Sequence, residues 1–484
     1  MEGILHSTTL AIPVLFLLVV GLGLMLFDSF KVKSVLPWLA GLGFIGSAAL
    51  AYMAPPAEST IAFNMLETGG IAPMVHAFLC LSGLFTLFFL PDYLNRQEKP
   101  ISDVYALLVF SVIGMILMAN ATNLLMIFIG LETMSICLYI FAALFKKDER
   151  SNEAGLKYFL LGAFASAFLL FGISLLYGLT GSTNLDIIAS KGNELAANSA
   201  IFYASAGLIL VGFLFKVSAF PFHNWTPDVY TGTPTPLAGF MATGSKMASF
   251  IALGIVMMKM NFVGEDKIFY LVAIVALFTM VYGNIVAARQ TNLKRMLAYS
   301  SIAHTGYVLL GLCAGAEGFT AVIFYMFIYT LMNIGAFGLV GMAEKQFEDT
   351  DNVNWKGMGF KAPYLAIGLS IFLLSLAGIP PLAGFMGKYQ VFISAIRAEI
   401  IWLAVIGILT SVIGAYYYIG IISVMFFGKD EKSELETTSN MLPLTGAAIL
   451  VVLILLFGLY PSLILGPIDA AFDSVYSTTT TVMR

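Results

Sequence analysis

Apolar runs about twenty residues long, repeated along the whole chain, leave little choice of architecture. A helix needs about 20 mostly apolar residues to cross a hydrocarbon core near 30 Å thick. Such runs stand at residues 8–28, 35–54, 72–92, 101–119, 122–145, 154–178, 199–222, 234–260, 268–288, 296–315, 318–342, 363–397, 399–427 and 441–463. Lipid offers no partner to backbone N–H and C=O groups, so each run must satisfy its own as a helix. Composition agrees: 59% of the 484 residues are hydrophobic and 11% charged, and the mean hydropathy is +0.92. A soluble domain carries about 25% charged residues. The expected fold is an all-α membrane protein of about 14 transmembrane helices, residues 1–484 forming one polytopic domain.

The connectors orient this stack. Those after odd-numbered spans hold Lys31, Lys33, Arg96, Lys99, Lys146, Lys147, Arg150, Arg289, Lys294, Arg295, Lys345, Lys356, Lys361, Lys429 and Lys432, while the other face holds Lys191, Lys259, Lys267, Arg397 and Arg484. A bias of about three to one puts the odd connectors in the cytoplasm and both termini on the outer side. The first span is expected to stay as a helix, since Glu2 and no Lys or Arg precedes it. A net charge of −4 and the absence of a basic tract give no footprint for nucleic acid. Cys80, Cys137 and Cys313 lie far apart in apolar runs and form no CxxC pair, so they read as buried filler and no metal site is expected.

Five ionisable residues fall inside apolar runs: Glu132, Lys157, Lys216, Lys246 and Lys388. A charge near the bilayer centre costs at least about 2.5–3.5 kcal/mol and usually marks function. At a rise of 1.5 Å per residue, Glu132 and Lys246 lie near mid-membrane, too deep to snorkel. Lys157 is one turn inside its span, where snorkelling remains open, and purely structural ion pairs remain open for Glu132, Lys216 and Lys246. Burial favours the neutral amine of a lysine and a nearby carboxylate favours its ammonium. With Glu132 at about 6 Å and an effective dielectric near 20, that coupling is roughly 2.8 kcal/mol. A change at the carboxylate would therefore load or unload the lysine. His304, inside the tenth span, and His223, after Phe220-Pro221-Phe222, read either as core histidines or as relay members beside the lysines. His6 and His76 read as peripheral.

Residues 363–397 would make a helix of about 52 Å, too long for one crossing, and Gly378-Ile379-Pro380-Pro381 must interrupt it. Lys388 follows that break, and Lys216 precedes Pro221 by little more than a turn. Interrupted membrane helices persist where protein or water satisfies the freed backbone, which marks transport sites. Spans four to eight and nine to thirteen can be laid over each other, pairing seven with twelve and five with ten. Five is an odd number, so the second unit is expected upside down relative to the first. The divisions are then 1–100 for three helices, 101–260 for the first repeat, 261–427 for the inverted second, and 428–484 for the last helix and tail. Gly41-Leu42-Gly43-Phe44-Ile45-Gly46 fits a dinucleotide GxGxxG pattern, but it lies inside a span without a preceding strand, where close helix packing is expected.

Three stretches resemble the antiporter-like membrane subunits of respiratory complex I and the Mrp cation antiporters. They are Pro221 to Tyr230 (PFHNWTPDVY) with Pro234-Thr235-Pro236 through Ser245-Lys246, Leu293 to His304 (LKRMLAYSSIAH), and Gly378 to Phe385 (GIPPLAGF). Within that family, Trp225 to Tyr230, the span count and Lys388 separate the chain from members with a glutamate at the last position or a long C-terminal extension. Asn224 departs from the family, where a more apolar residue is expected. The resemblance implies a proton-translocating subunit of an NADH:quinone oxidoreductase in a bacterial inner membrane, with its termini periplasmic. It implies that Glu132 and Lys216 form a coupled pair with Lys157 as an added partner near Glu132, that Lys246 and His304 relay the proton, and that Lys388 passes it on. It also implies no cofactor on this chain: NAD, FMN, iron–sulfur clusters and quinone would belong to partner subunits, and other membrane-arm subunits would be its neighbours. A subunit of a Mrp-type sodium/proton antiporter is the alternative within transport, and a membrane scaffold whose charges only join helices is the alternative outside it.

Overall fold

Nearly all of the described chain is helical. The computed structural model describes residues 7, 9, 11–29, 33–53, 61–97, 101–196, 200–260, 266–344, 350–428 and 441–476; His6, Lys31, Lys99, Lys345, Lys429, Lys432 and Arg484 lie outside them. Helices α1 (Ile12–Ser29) and α2 (Leu36–Met53) lead through a hairpin, β1 (Ile61–Ala62) and β2 (Leu66–Glu67), to α3 (Ala72–Arg96), α4 (Asp103–Ala119), α5 (Leu124–Ala142) and α6 (Glu149–Thr180). Next come α7 (Leu185–Ala196), α8 (Ala200–Lys216), α9 (Trp225–Gly232), α10 (Thr235–Lys259), α11 (Asp266–Ala287), α12 (Leu293–Cys313) and α13 (Gly315–Glu344). The remainder is α14 (Met358–Lys361), α15 (Pro363–Ala377), α16 (Ala383–Arg397), α17 (Ile401–Phe427), α18 (Met441–Leu459) and α19 (Ser462–Tyr476).

Ten of these helices are long and apolar enough to cross a membrane, and α1, α4, α8 and α15 are shorter apolar helices. The long run at 363–397 divides into α15 and α16, as its prolines require. Helix α8 stops at Lys216, sooner than its apolar run, and an irregular stretch leads into α9. The hairpin and helices α7, α9 and α19 are not legible as apolar runs, because α9 is two turns long and α7 carries Asp186, Lys191 and Glu194. Helix α6 starts five residues before its apolar run, since Asp148 caps it by accepting from Arg150 N at 2.9 Å. Lys157 accordingly sits deeper along its helix than the hydropathy suggests.

Helices α10 and α13 form the centre, with every residue from Thr235 to Met257 and from Gly318 to Ala343 buried. Around them α1, α2, α6, α17 and α18 expose large apolar side chains such as Val19, Trp38, Phe164, Val412 and Val452, as lipid-facing helices do. Small residues set the tightest contacts. A Cβ on Gly114 would lie 2.4 Å from Met134 N, and one on Gly130 would lie 2.5 Å from Met118 N, so α4 and α5 touch backbone to backbone. Helices α11 and α12 meet the same way, through Gly283 against Ala303 N and Gly306 against Met280 N. The glycines at 41, 43 and 46 pack α2 onto its neighbours, Gly43 on Val20 and Gly46 on Phe16, which accounts for the GxGxxG spacing. Cys80, Cys137 and Cys313 are free and buried. His76 corrects its peripheral reading: it is 4% exposed and lies 2.7 Å from the Ser47 hydroxyl.

Connectors also pair with one another. Leu66 bridges to Ala121 and Asn123 to Asn184 on one side, and Asn292 bridges to Asp351 elsewhere. Asn123 caps α5 by accepting from Leu125 N at 2.9 Å, and Asn292 caps α12 by accepting from Arg295 N at 3.0 Å. In the hairpin, burial pushes the Glu67 carboxyl up to about 7, with nearby Asp186 adding to the shift and Lys259 and a Gly69 backbone bond opposing it. A raised carboxyl pKa means that the folded state holds the proton more tightly, so stability is full in acid and falls as pH rises through about 7. Exchange of the Glu67 amide, which donates to Asn120 O at 2.7 Å, is expected to lose protection between pH 5 and pH 8. Glu67→Gln is expected to remove that dependence; an equal pH response in the variant would assign it to another group.

Candidate functional site

Lys216, Lys246, His304 and Lys388 are 3%, 1%, 3% and 6% exposed, and none forms an ion pair among the described residues. Each is held by uncharged oxygen atoms. Lys216 Nζ donates to the Ser135 hydroxyl at 2.8 Å and the Tyr158 hydroxyl at 3.1 Å. Lys246 Nζ donates to Ser301 O at 3.0 Å, to the Ser301 hydroxyl at 2.6 Å and to the Thr305 hydroxyl at 3.1 Å. Lys388 Nζ donates to Ala377 O at 3.0 Å and the Ser411 hydroxyl at 2.8 Å. A carboxylate would fix a lysine as its ammonium. A hydroxyl accepts from an ammonium and donates to a neutral amine, so every one of these lysines keeps a partner in both charge states.

The helix ends shape two of these positions. Helix α8 closes with Ser218 in the left-handed region (φ 64) and Ala219 N donating to Leu214 O. Helix α15 closes with Gly378 (φ 86) and Ile379 N donating to Leu374 O. Both are helix C-caps of one kind, but Lys216 precedes its cap while Lys388 follows its own from α16. Glycine suits position 378 on two counts: its φ favours glycine, and a Cβ there would press on Lys388 Cδ at 3.1 Å.

Glu132, on α5, is half-buried and accepts from the Ser166 hydroxyl of α6. A cavity of about 10 Å³ lined in part by Ser135, Tyr139, Ser166 and Lys216 lies beside it, close to the smallest space that admits a water. From Lys216 the polar line runs inward: Thr305 accepts from Lys246 and donates at 2.6 Å to Val217 O, freed where α8 ends. His304 lies between Ser301 and Thr305 on the same helix. Its Nδ1 pairs with the Tyr325 hydroxyl and its Nε2 with the Tyr418 hydroxyl at 3.3 Å. Tyr418 also bonds Ser300. The Tyr307 ring stands edge-on to His304, centroids 5.6 Å apart, and Lys388 Nζ lies 5.3 Å from the same ring.

Two predicted members stand apart from this line. His223 is buried against Phe220 and Tyr282, and neither of its ring nitrogens has a hydrogen-bond partner among the described residues. Lys157 bonds to Asp228 at 2.8 Å and Glu153 at 2.6 Å; no Lys157–Glu132 bond is found among the described residues. The hydroxyls of Ser135, Tyr158, Ser166, Ser301, Thr305, Tyr325, Tyr418 and Ser411 were missed from sequence. Spacing alone offered a signal for three of them, since Ser135 follows Glu132 by three positions and Ser301 and Thr305 flank His304.

A family model for the membrane domain of NADH:quinone oxidoreductases and Mrp antiporters matches residues 121–414, which hold all of these side chains except Tyr418. The NADH-quinone oxidoreductase subunit N of Salinibacter ruber is 44% identical over 84% of this chain and 82% of its own length. A chain of respiratory complex I from Thermus thermophilus superposes with a TM-score of 0.80 at 32% identity, covering 95% of this chain and 99% of that one. A chain of the Mrp complex from Dietzia superposes with a TM-score of 0.83 at 19% identity over 98% and 99% of the two chains, a likeness of fold. The chain belongs to the NADH:quinone oxidoreductase/Mrp antiporter membrane family, on the branch of the NADH-quinone oxidoreductase N subunits.

Proposed function

We propose that this chain is the N-type subunit of a proton-pumping NADH:quinone oxidoreductase and carries protons along the line Glu132, Lys216, Lys246, His304 and Lys388. What carries this reading is that three lysines lie in the membrane interior with no ion pair among the described residues, each hydrogen-bonded to a hydroxyl that tolerates either charge state. Glu132 and Lys216 act as the coupled pair, with the serine hydroxyls and the small cavity between them. Thr305 and the end of α8 join Lys216 to Lys246, and the His304 tyrosine cluster joins Lys246 to Lys388. Lys157 stands at the rim of this line and His223 flanks it. The chain holds no redox centre; NADH, FMN, iron–sulfur clusters and quinone belong to partner subunits, and electron transfer there supplies the energy. At 19% identity the Mrp likeness is one of fold, whereas 44% identity to an N subunit favours the redox-driven complex.

The same proposal sets the chain in the bacterial inner membrane with fourteen crossings, α15 and α16 together making one and α8 with α9 another. Residues 101–260 and 261–427 are inverted repeats. Their support is a set of matched features: a glycine contact between α4 and α5 and again between α11 and α12, an asparagine cap on α5 and on α12, and a left-handed end on α8 and on α15. Connectors bridge even with even and odd with odd, as alternate crossings require. The cytoplasmic side then holds the odd connectors and the periplasm both termini.

Purification of the tagged chain from its native membrane in mild detergent is expected to bring with it flavin, iron–sulfur absorbance and NADH:quinone reductase activity. Material lacking all three but exchanging sodium for protons would replace this reading with the antiporter one.

A further inference from the structure

Asp228 sits in the Trp-Thr-Pro-Asp-Val-Tyr stretch that carries much of the resemblance, yet no step above uses it. Its carboxylate joins two parts of the molecule. Oδ2 accepts from Lys157 Nζ of α6 at 2.8 Å, and Oδ1 accepts from Arg295 Nη1 of α12 at 3.0 Å. The other end of the same short helix reaches the Lys216 site. Trp225 donates its indole N–H to Phe215 O at 3.2 Å, in the last turn before Lys216. Its ring stacks on Tyr158, with centroids 4.4 Å apart and planes 13° from parallel, and the Tyr158 hydroxyl accepts from Lys216. Helix α9 also lies flush on α6, since a Cβ on Gly232 would come within 2.5 Å of Arg150 O.

Holding a helix in place needs only packing. A carboxylate between two cations makes the hold depend on charge, because an uncharged group there removes the anion that Lys157 and Arg295 share and leaves Lys157 to Glu153. The helix so held bears on the tyrosine that partners Lys216, while Arg295 lies on the helix of Ser301, His304 and Thr305. We propose that Asp228 is a positioning residue for proton transfer at Lys216: its bonds to Lys157 and Arg295 fix α9, and Trp225 fixes Tyr158 against the lysine. The proposal rests on Lys216 being a proton carrier.

The test uses the whole complex in native membrane vesicles, with NADH-driven proton uptake normalised to complex content by flavin. Asp228→Asn and Tyr158→Phe are each expected to slow uptake about tenfold at unchanged complex content, less than the roughly hundredfold that misplacement by a full ångström can cost. The double variant is expected to be no slower than the slower single, since both act through one hydroxyl, and Asp228→Glu is expected to keep most of the rate. Wild-type uptake in Asp228→Asn, losses that multiply in the double variant, or losses that merely follow complex content would each overturn the proposal. Lys216→Ala is run beside them. If it pumps normally, the proton-carrier reading itself fails; if it stops pumping while Asp228→Asn does not, the positioning role alone fails.

Discussion

NADH-driven proton uptake is expected to fall by about 100-fold when Lys216 is replaced by alanine, the scale on which loss of a positioned acid–base group acts. The substitution strands the Tyr158 hydroxyl, while Ser135 keeps its bond to Leu131 O; the cost is about 1–3 kcal/mol, an amount that a body with this much buried apolar surface tolerates. Complex content is therefore expected to stay near normal. Lys216→Arg is the sharper variant. A guanidinium keeps the positive charge but does not release its proton inside a protein. If Lys216 carries protons, arginine stops uptake as alanine does. Arginine that pumps at the wild-type rate would make Lys216 a fixed charge and end the relay as drawn.

Gly130→Leu is expected to leave almost no complex in the membrane. A Cβ at that position would meet Met118 N at 2.5 Å and Gly114 O at 2.7 Å. Backbone on both sides cannot yield, so α4 and α5 would have to part. Overpacking that forces helices apart costs about 3 kcal/mol or more, and α5 also carries Glu132 and Ser135. Gly178→Ala serves as the comparison, because nothing lies within 4 Å of a Cβ there. Blue-native gels that show equal complex in both variants would mean that the α4–α5 contact is dispensable.

Most of the helical body was legible because an apolar run of membrane length has one stable outcome in lipid. Boundaries set by capping were not, as at α6, where Asp148 adds a polar first turn. Short helices such as α9 were hidden for a related reason: two turns between prolines leave no hydrophobic period to read. The buried lysines stood out because a charge inside an apolar run has no ordinary explanation. Their partners did not, since serine, threonine and tyrosine are common in membrane helices. Thr305 meets Val217 across 88 positions of sequence, and nothing local marks either residue. Lys294 and Arg295 show the same limit. Counted as connector charges, they lie in the first turn of α12, Lys294 bonding Glu344 at 3.2 Å and Arg295 bonding Asp228.

The burial of α10 and α13 bears on how anything crosses this protein. A carrier that rocks open exposes its central helices to water on alternate sides. Here that motion would strip the cover from two helices buried along nearly their full length and break the Thr305–Val217 bond that ties α12 to the end of α8. The free energy of uncovering so much apolar surface, at roughly 25 cal/mol per Å², sets such a motion far above hydroxyl rotation and side-chain rearrangement. A frame of this kind stays closed while its contents move. It suits the smallest cation, which can hop between fixed oxygen and nitrogen atoms.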